Sequence, residues 1–456
     1  MRLYALKNKY PLSFRGVKCD IVGMGISNVA LAEYLYKEGA KITVRDKETP
    51  SPIIQAHLQQ ISARQFYGSD YLTDLDGEYI FRSPSVRPDI AEFTTALSSG
   101  ATVGAEWELF FHRAPCDIFA VTGSDGKTTT VTLTEKILAL SQGKKQVFAA
   151  GNIGTPLISL LEEITINDII IAELSSFQLM TFDAIPTVSA ITNITPNHLD
   201  YHRDMTEYIN SKLNISDPQR SKTVFHPSHI PQEILSHFKN ANNVISCGFK
   251  DTNTIYCYNN QIFVHNIPIL NSQNIKLKGT HNIENYMTAI GLCGNLASED
   301  AINEVASTFE GVDHRMQFIA EKNGIKYYDS SIDSTPSRTA ATLQAMTIKP
   351  TVICGGHDKC LTYDLLADTL NKNAYAVVVT GASAPKILEE IYRIPNRNFL
   401  CFYEEDFEKA VIRSANITPR GGAVLLSPAC ASFDCFKDYK ERGIFFQKIV
   451  NSLPDN

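Results

Sequence analysis

Residues 117–130 read DIFAVTGSDGKTTT, and the fold of the whole chain turns on this stretch. A short apolar strand runs into a glycine turn, and a threonine-rich helix start follows. In that order the residues suit a phosphate. Backbone N–H groups after Gly126 and the positive end of the helix face an anion, Lys127 reaches terminal phosphates, and Thr128 offers Mg²⁺ a hydroxyl. The usual nucleotide loop separates its two glycines by four residues, whereas here Ser124 and Asp125 alone lie between Gly123 and Gly126. A plain turn between strand and helix is the weaker reading, because it needs neither the lysine nor the hydroxyl.

Downstream the apolar runs continue. QVFAA precedes GNIGTP (151–156), DIIIAEL delivers Glu173 and the serines of ELSSFQL, and VSAITNI delivers NHLDYH. In a parallel sheet ligands collect at the carboxyl ends of strands, so the polar motifs after these strands converge on one crevice. Upstream, KCDIVG, a Gly23-Met24-Gly25 turn, a helix ending near Gly39 and KITVRD form a Rossmann-type βαβ opening, with Asp46 about 20 residues past the glycines, where a ribose-binding acid sits. Asn28 holds the third glycine position, which favours a nucleotide-like ligand over NAD. FRSPSVRPD (81–89) places Ser83 and Arg87 at the same sheet edge; a ligand-binding loop and an ordinary loop fit it equally. Between 221 and 278, TIYCYNN, QIFVHN and NIKLKG predict antiparallel hairpins at the edge of the central domain. GTHNIENYMTAIGLCGNLA predicts a helix with His281, Asn282 and Asn285 near its start. After Val312, KYYDSS, TVICGG, AYAVVVTG and AVLLSP predict a third α/β series.

The chain of 456 residues exceeds one ordinary core and suggests two or three domains. Its 44% hydrophobic and 20% charged content is that of a globular protein, and no run approaches a membrane-spanning length. The opening MRLYALKNKYPLSF lacks the apolar core of a secretory signal, so a cytoplasmic location without membrane insertion is expected. A net charge of −7 argues against nucleic acid as a partner. The ten cysteines form no CxxC pair and read as reduced, buried hydrophobes.

Glu173 and His198, at strand ends beside the phosphate loop, are ordinary ligands for a divalent cation. Asp200 and His202 share the same run, where turn hydrogen bonding or a helix cap explains them as well. Lys212, in MTEYINSK, would by default be a solvated helix lysine. Buried with a depressed pKa, it could instead react with CO₂ and become an anionic carbamate ligand.

GSDGKTTT, GNIGTP, ELSSFQL, NHLDYH with Lys212 downstream, GTHNIEN, Asp313-His314-Arg315, GGHDK and LLSPACASFDCFKDYKERG occur in the order and spacing of the Mur ligases, and the chain resembles that family over nearly its whole length. ELSSFQL and SPACASFD are most similar to the member that adds D-glutamate. The resemblance implies an α/β protein of three domains. They are a Rossmann-like domain for the UDP end of the substrate (1–108), a central P-loop-type domain for ATP and Mg²⁺ (109–312) and a Rossmann-like C-terminal domain for D-glutamate (313–456).

It further implies ATP-dependent joining of D-glutamate to UDP-N-acetylmuramoyl-L-alanine in peptidoglycan precursor synthesis, by a monomer. Another Mur-type or folylpolyglutamate-type amide ligase is the alternative. By motif, Gly123, Ser124, Asp125, Gly126, Lys127, Thr128, Thr129, Asn282, Asn285 and Arg315 would meet ATP. Thr128, Glu173, His198 and Lys212 as a carbamate would hold Mg²⁺, with Lys127, His198 and Lys212 the catalytic residues. Ser27, Asp46, Ser83 and Asn152 would bind the UDP substrate, and Lys359, Ser432, Phe433 and Tyr439 D-glutamate. Two departures stand out. YYDSSIDSTPSRT replaces the family's usual start of the third domain, leaving Ser331 and Ser334 without an assigned role, and Lys47-Glu48 replaces the Thr-Arg of some relatives after Asp46.

Overall fold

A computed structural model of the chain describes residues 9–50, 52–143, 145–199, 201–238, 241, 243–357 and 362–455. It is an α/β protein built on three sheets, divided into two compact units, Met1–Phe309 and Glu310–Asn456. No helix of the described residues is long and apolar enough to cross a membrane.

The first unit holds two of the sheets. Its N-terminal sheet is parallel throughout, in the order Arg64–Tyr67, Lys41–Asp46, Lys18–Val22, Tyr79–Arg82, Thr102–Gly104. The helix Ile26–Lys37 buries Leu31, Ala32 and Leu35 at helical spacing against it, which is why the KCDIVG–KITVRD segment folds as the expected βαβ unit. The central sheet has nine strands. From Val147–Gly151 it runs through Ile169–Glu173, Asp117–Thr122, Val188–Ile191, Lys222–Phe225 and Val244–Gly248 to Ile255–Tyr258, all parallel, and then ends in the antiparallel strands Gln261–Val264 and Ile267–Asn271. Ile169–Glu173 and Val188–Ile191 are buried at every residue, as continuous apolar runs covered on both faces must be.

The hairpins sit where expected, with one correction. Their outer strand is Ile267–Asn271 and not NIKLKG. Both connections are two-residue turns with positive φ at each position, Asn259-Asn260 (47° and 62°) and His265-Asn266 (48° and 66°). That geometry matches the twist of the flanking strands and fixes the register. NIKLKG alternates like a strand, but its Lys276 N–H turns away to the Ala306 carbonyl.

In the second unit the order is Gln317–Lys322, Ile325–Asp329, Ala423–Leu426, Thr351–Gly355, Ala376–Thr380, Leu400–Tyr403, parallel except for the first pair. Thr351–Gly355 and Ala376–Thr380 are wholly buried at its centre.

Candidate active site

The phosphate loop leaves the strand Asp117–Thr122 and enters the helix Lys127–Ser141 through Gly126, whose φ of 77° is left-handed. A Cβ on Gly126 would lie 2.5 Å from Asn285 Oδ1, and one on Gly123 would collide with the Thr192 hydroxyl. Both glycines are therefore required by close approach as well as by backbone shape. The loop is moulded from behind by residues that follow the next strand in space, Val188–Ile191. Asn193 accepts from the Asp125 N–H through Oδ1 (2.9 Å) and from the Ser124 N–H through its carbonyl (2.9 Å), while Thr192 Oγ1 donates to the Asp125 carbonyl at 2.6 Å. Ser124 Oγ donates to the Thr195 carbonyl, accepts from the Thr195 N–H, and shares a 2.7 Å hydrogen bond with Tyr208. Sequence reasoning did not single out Thr192, Asn193, Thr195 or Tyr208. The TNIT run directly after an apolar strand was the available signal.

Lys127 Nζ curls over this turn, donating to the carbonyls of Gly123 (3.0 Å) and Ser124 (2.9 Å). One residue further into the helix, Thr128 Oγ1 donates to Glu173 Oε2 at 2.8 Å. Asn152 Nδ2, from the GNIGTP loop, donates to Glu173 Oε1 at 2.9 Å. Three of the predicted motifs thus meet at one buried carboxylate, because the strands carrying them are neighbours in the parallel sheet.

Lys212 reaches the same loop from the helix Met205–Leu213. It is 2% exposed, donates to the Gly123 carbonyl at 2.7 Å and lies 4.6 Å from the ring centre of Tyr208. Burial is the main force driving its pKa well below the ordinary lysine value; the Lys127 cation adds to it, and Asp125 and Glu173 oppose it. His198 stands on an exposed turn with φ of 56°, its ring edge-on to Phe177 at 4.9 Å. His202, buried, shares a hydrogen bond with Ser176 Oγ at 2.9 Å; burial pulls its pKa down against the pull of Glu207. Asp200 lies outside the described residues.

Across the loop, the helix Thr280–Cys293 brings Asn285 against Thr130 (3.4 Å) and Asn282 against Asn285 (3.2 Å). An open cavity of about 260 Å³ lies at the start of this helix, lined by Lys278, Gly279 and Ile283 among others.

At the N-terminal sheet, Asp46 accepts from the Met24 N–H (2.5 Å) and the Glu48 N–H (3.0 Å), so its carboxylate shapes the glycine turn. Ser27 is half-buried in the first turn of the following helix. Asn28 donates to the Val22 and Gly23 carbonyls, at 3.2 and 2.7 Å, where a third glycine was looked for. Ser83 is buried and hydrogen-bonded to Ser85 at 2.5 Å.

In the second unit, Arg315 is exposed. Ser432 is buried, and its carbonyl accepts from Cys435 and Phe436 in a tight turn. Phe433 projects into solvent and Tyr439 opens the last helix. Lys359 lies outside the described residues. Ser331 is engaged within the fold: its hydroxyl donates to the Tyr439 carbonyl at 2.8 Å and accepts from Arg442 Nε at 3.0 Å.

Residues 121–293 match the model of the Mur ligase middle domain. The chain is 37% identical over 449 residues to the UDP-N-acetylmuramoylalanine–D-glutamate ligase of Ruminiclostridium cellulolyticum, covering 95% of this chain and 96% of that one. It is 38% identical over 445 residues to the enzyme of the same name from Clostridium kluyveri, with 96% and 97% covered. Among solved structures it resembles the UDP-N-acetylmuramate-alanine ligase of Thermotoga maritima (TM-score 0.53, 19% identity, 95% and 98% covered) and the murein peptide ligase of Psychrobacter arcticus (TM-score 0.51, 15% identity, 96% and 100% covered), a likeness of fold.

Proposed function

The chain belongs to the Mur ligases, within the group of UDP-N-acetylmuramoylalanine–D-glutamate ligases, and on that premise we propose that it joins D-glutamate to UDP-N-acetylmuramoyl-L-alanine while ATP is split to ADP and phosphate. The observation that supports this most is the buried Lys212, held on the carbonyl of the phosphate loop beside Lys127 and the Thr128–Glu173 pair. A protein that only bound nucleotide would have no use for a depressed lysine there. We assign residues 1–108 to the UDP end, 109–312 to ATP and 313–456 to D-glutamate. Ser27, Asp46, Ser83 and Asn152 serve the first substrate, Asn282, Asn285 and Arg315 the nucleotide, and Lys359, Ser432, Phe433 and Tyr439 the amino acid.

The residues present fit a hard divalent cation. A threonine hydroxyl and a carboxylate already lie 2.8 Å apart at the loop, and His198 together with a carbamate on Lys212 would complete the donor set. Bound there, Mg²⁺ would supply positive charge to the transferring phosphoryl group. The burial and lowered pKa of Lys212 support a carbamate there. Its neutral amine attacks the carbon of CO₂, an N–C bond forms as one C=O electron pair moves to oxygen, and a proton leaves to solvent. The lysine is thereby converted from a potential cation beside Lys127 into an anion.

Two anions must meet in the first step, the substrate carboxylate and the γ-phosphate. Lys127 and the N–H groups of the loop offset that repulsion. The carboxylate oxygen bonds to γ-phosphorus as the bond to ADP breaks, giving an acyl phosphate. The uncharged amine of D-glutamate then attacks the acyl carbon, phosphate departs with its electron pair, and the nitrogen gives up one proton to a base to leave the neutral amide.

Purified protein given ATP, Mg²⁺ and UDP-N-acetylmuramoyl-L-alanine should release phosphate on addition of D-glutamate. Equal release with L-glutamate or L-lysine would overturn the assignment and favour another amide ligase of this fold.

A further inference from the structure

The segment FRSPSVRPD enters the reading above through Ser83 alone, yet it joins the glycine turn of the N-terminal sheet to the loops around Lys212. At its start, the Ser83 N–H donates to the Val22 carbonyl at 2.8 Å, and Ser83 packs so closely on Gly23 that a Cβ there would come within 2.7 Å. Arg82, fully buried, donates to the Phe177 carbonyl and to Thr181 Oγ1, both at 3.1 Å, and so holds the loop that follows Glu173.

Arg87, at the far end, donates to both oxygens of Glu207 (2.8 and 3.1 Å) and to the Tyr201 carbonyl (2.5 Å). Glu207 sits in the first turn of the helix that carries Lys212 near its end and also accepts from the Arg203 N–H at 2.9 Å. Tyr201 stacks on Phe177 at 4.0 Å, the ring that touches His198, and its hydroxyl donates to the Pro84 carbonyl at 2.9 Å. Arg87 also pairs with both oxygens of Asp89 at 2.9 Å. An isolated surface ion pair contributes little. Here the Arg87 fork closes on Glu207 with both side chains 22% exposed, and a third bond goes to backbone, which makes the contact geometrically specific.

We propose that Arg87 is a positioning residue: through Glu207 and the Tyr201 carbonyl it fixes the segments carrying Lys212 and His198 against the phosphate loop, and cation loading at that loop depends on it. The proposal rests on the metal assignment above. Partners that orient ligands in this way typically account for about 10- to 100-fold in metal affinity or activity.

The test compares wild type, Arg87→Ala, Arg87→Lys and the exchanged pair Arg87→Glu/Glu207→Arg. Two readouts are used: the Mg²⁺ concentration giving half-maximal phosphate release, and hydrogen exchange in the 201–213 segment without substrates. Arg87→Ala should raise the Mg²⁺ midpoint roughly tenfold, speed exchange in that segment and leave the KM for D-glutamate unchanged. Arg87→Lys should fall between, and the exchanged pair, which has no donor at position 87 for the Tyr201 carbonyl and sets two carboxylates together at positions 87 and 89, should recover only a small part of the loss. An unmoved Mg²⁺ midpoint in folded Arg87→Ala, or an equal rise in every KM, overturns the proposal. If wild type releases no phosphate with the proposed substrates, the functional reading fails first. Mg²⁺-dependent binding of a non-hydrolysable ATP analogue, measured by calorimetry, then judges Arg87 by the same criterion.

Discussion

Lys212 Nζ donates at 2.7 Å to the Gly123 carbonyl, the same oxygen that, with the Ser124 carbonyl, holds Lys127. Two amines share one acceptor, and burial together with the Lys127 charge favours the neutral form of the more buried one. Replacement of Lys212 by alanine should abolish ligation, with partial recovery on addition of short-chain carboxylic acids that can enter the vacated space as anions. Full activity in the variant without such acids would remove Lys212 from the chemistry. Wild type depleted of CO₂ should lose activity and regain it with bicarbonate.

Gly126 carries a left-handed φ of 77° beneath Asn285. Gly126→Ala therefore combines backbone strain of about 1–3 kcal/mol with displacement of the Asn285 side chain. Nucleotide binding measured by calorimetry should weaken accordingly. Unchanged affinity would show that the loop tolerates a different path.

Glu106 is 2% exposed and accepts from the Ile158 N–H at 2.6 Å; burial pushes its pKa up to about 7 despite that bond. The folded chain keeps this proton to a higher pH than the unfolded chain. The group's contribution is therefore intact below the usual carboxylate range and lost as pH rises to about 7. Glu106→Gln should melt above wild type at pH ~8, by at most about 3 kcal/mol, with the gap closing towards pH ~5. A gap that does not change with pH would exclude titration of Glu106 as its cause.

Arg442 is buried and donates to Ser331 Oγ (3.0 Å), the Ser331 carbonyl (2.9 Å), the Ala431 carbonyl (2.9 Å) and the Cys430 carbonyl (3.1 Å). Arg442→Met takes this partner from the Ser331 and Cys430 carbonyls, while the Ala431 carbonyl keeps the His357 N–H, and should lower the thermal midpoint by the equivalent of about 1–3 kcal/mol or more. Ser331→Ala should cost about 1 kcal/mol without raising the KM for D-glutamate. A tenfold rise in that KM at unchanged melting would make Ser331 a substrate contact.

The phosphate loop and the parallel sheets were legible because buried strands are unbroken apolar runs that end where glycine and polar residues begin. Glu173, Asn152 and Thr128 were legible for the same reason, since each follows such a strand and neighbouring strands bring them together. The burial of Lys212 was less visible. In MTEYINSKL the only local sign is Tyr208 four residues earlier, on the same helical face. Arg87 read only as part of an undecided loop until its partners Tyr201 and Glu207, more than a hundred residues away, were in place, and Arg82 drew no reading of its own. The outer hairpin strand was missed because Pro268 interrupts it, whereas NIKLKG has the alternation without the pairing.

That proline has a bearing on solubility. A long parallel sheet ends in unpaired N–H and C=O groups that can template a second chain. Here the last parallel strand is covered by a hairpin whose outer strand, Ile267–Asn271, contains Pro268, a residue with no N–H to donate. The sheet is wide enough to carry the loops of the active site, and at this edge it ends in a strand poorly suited to recruiting another copy of itself.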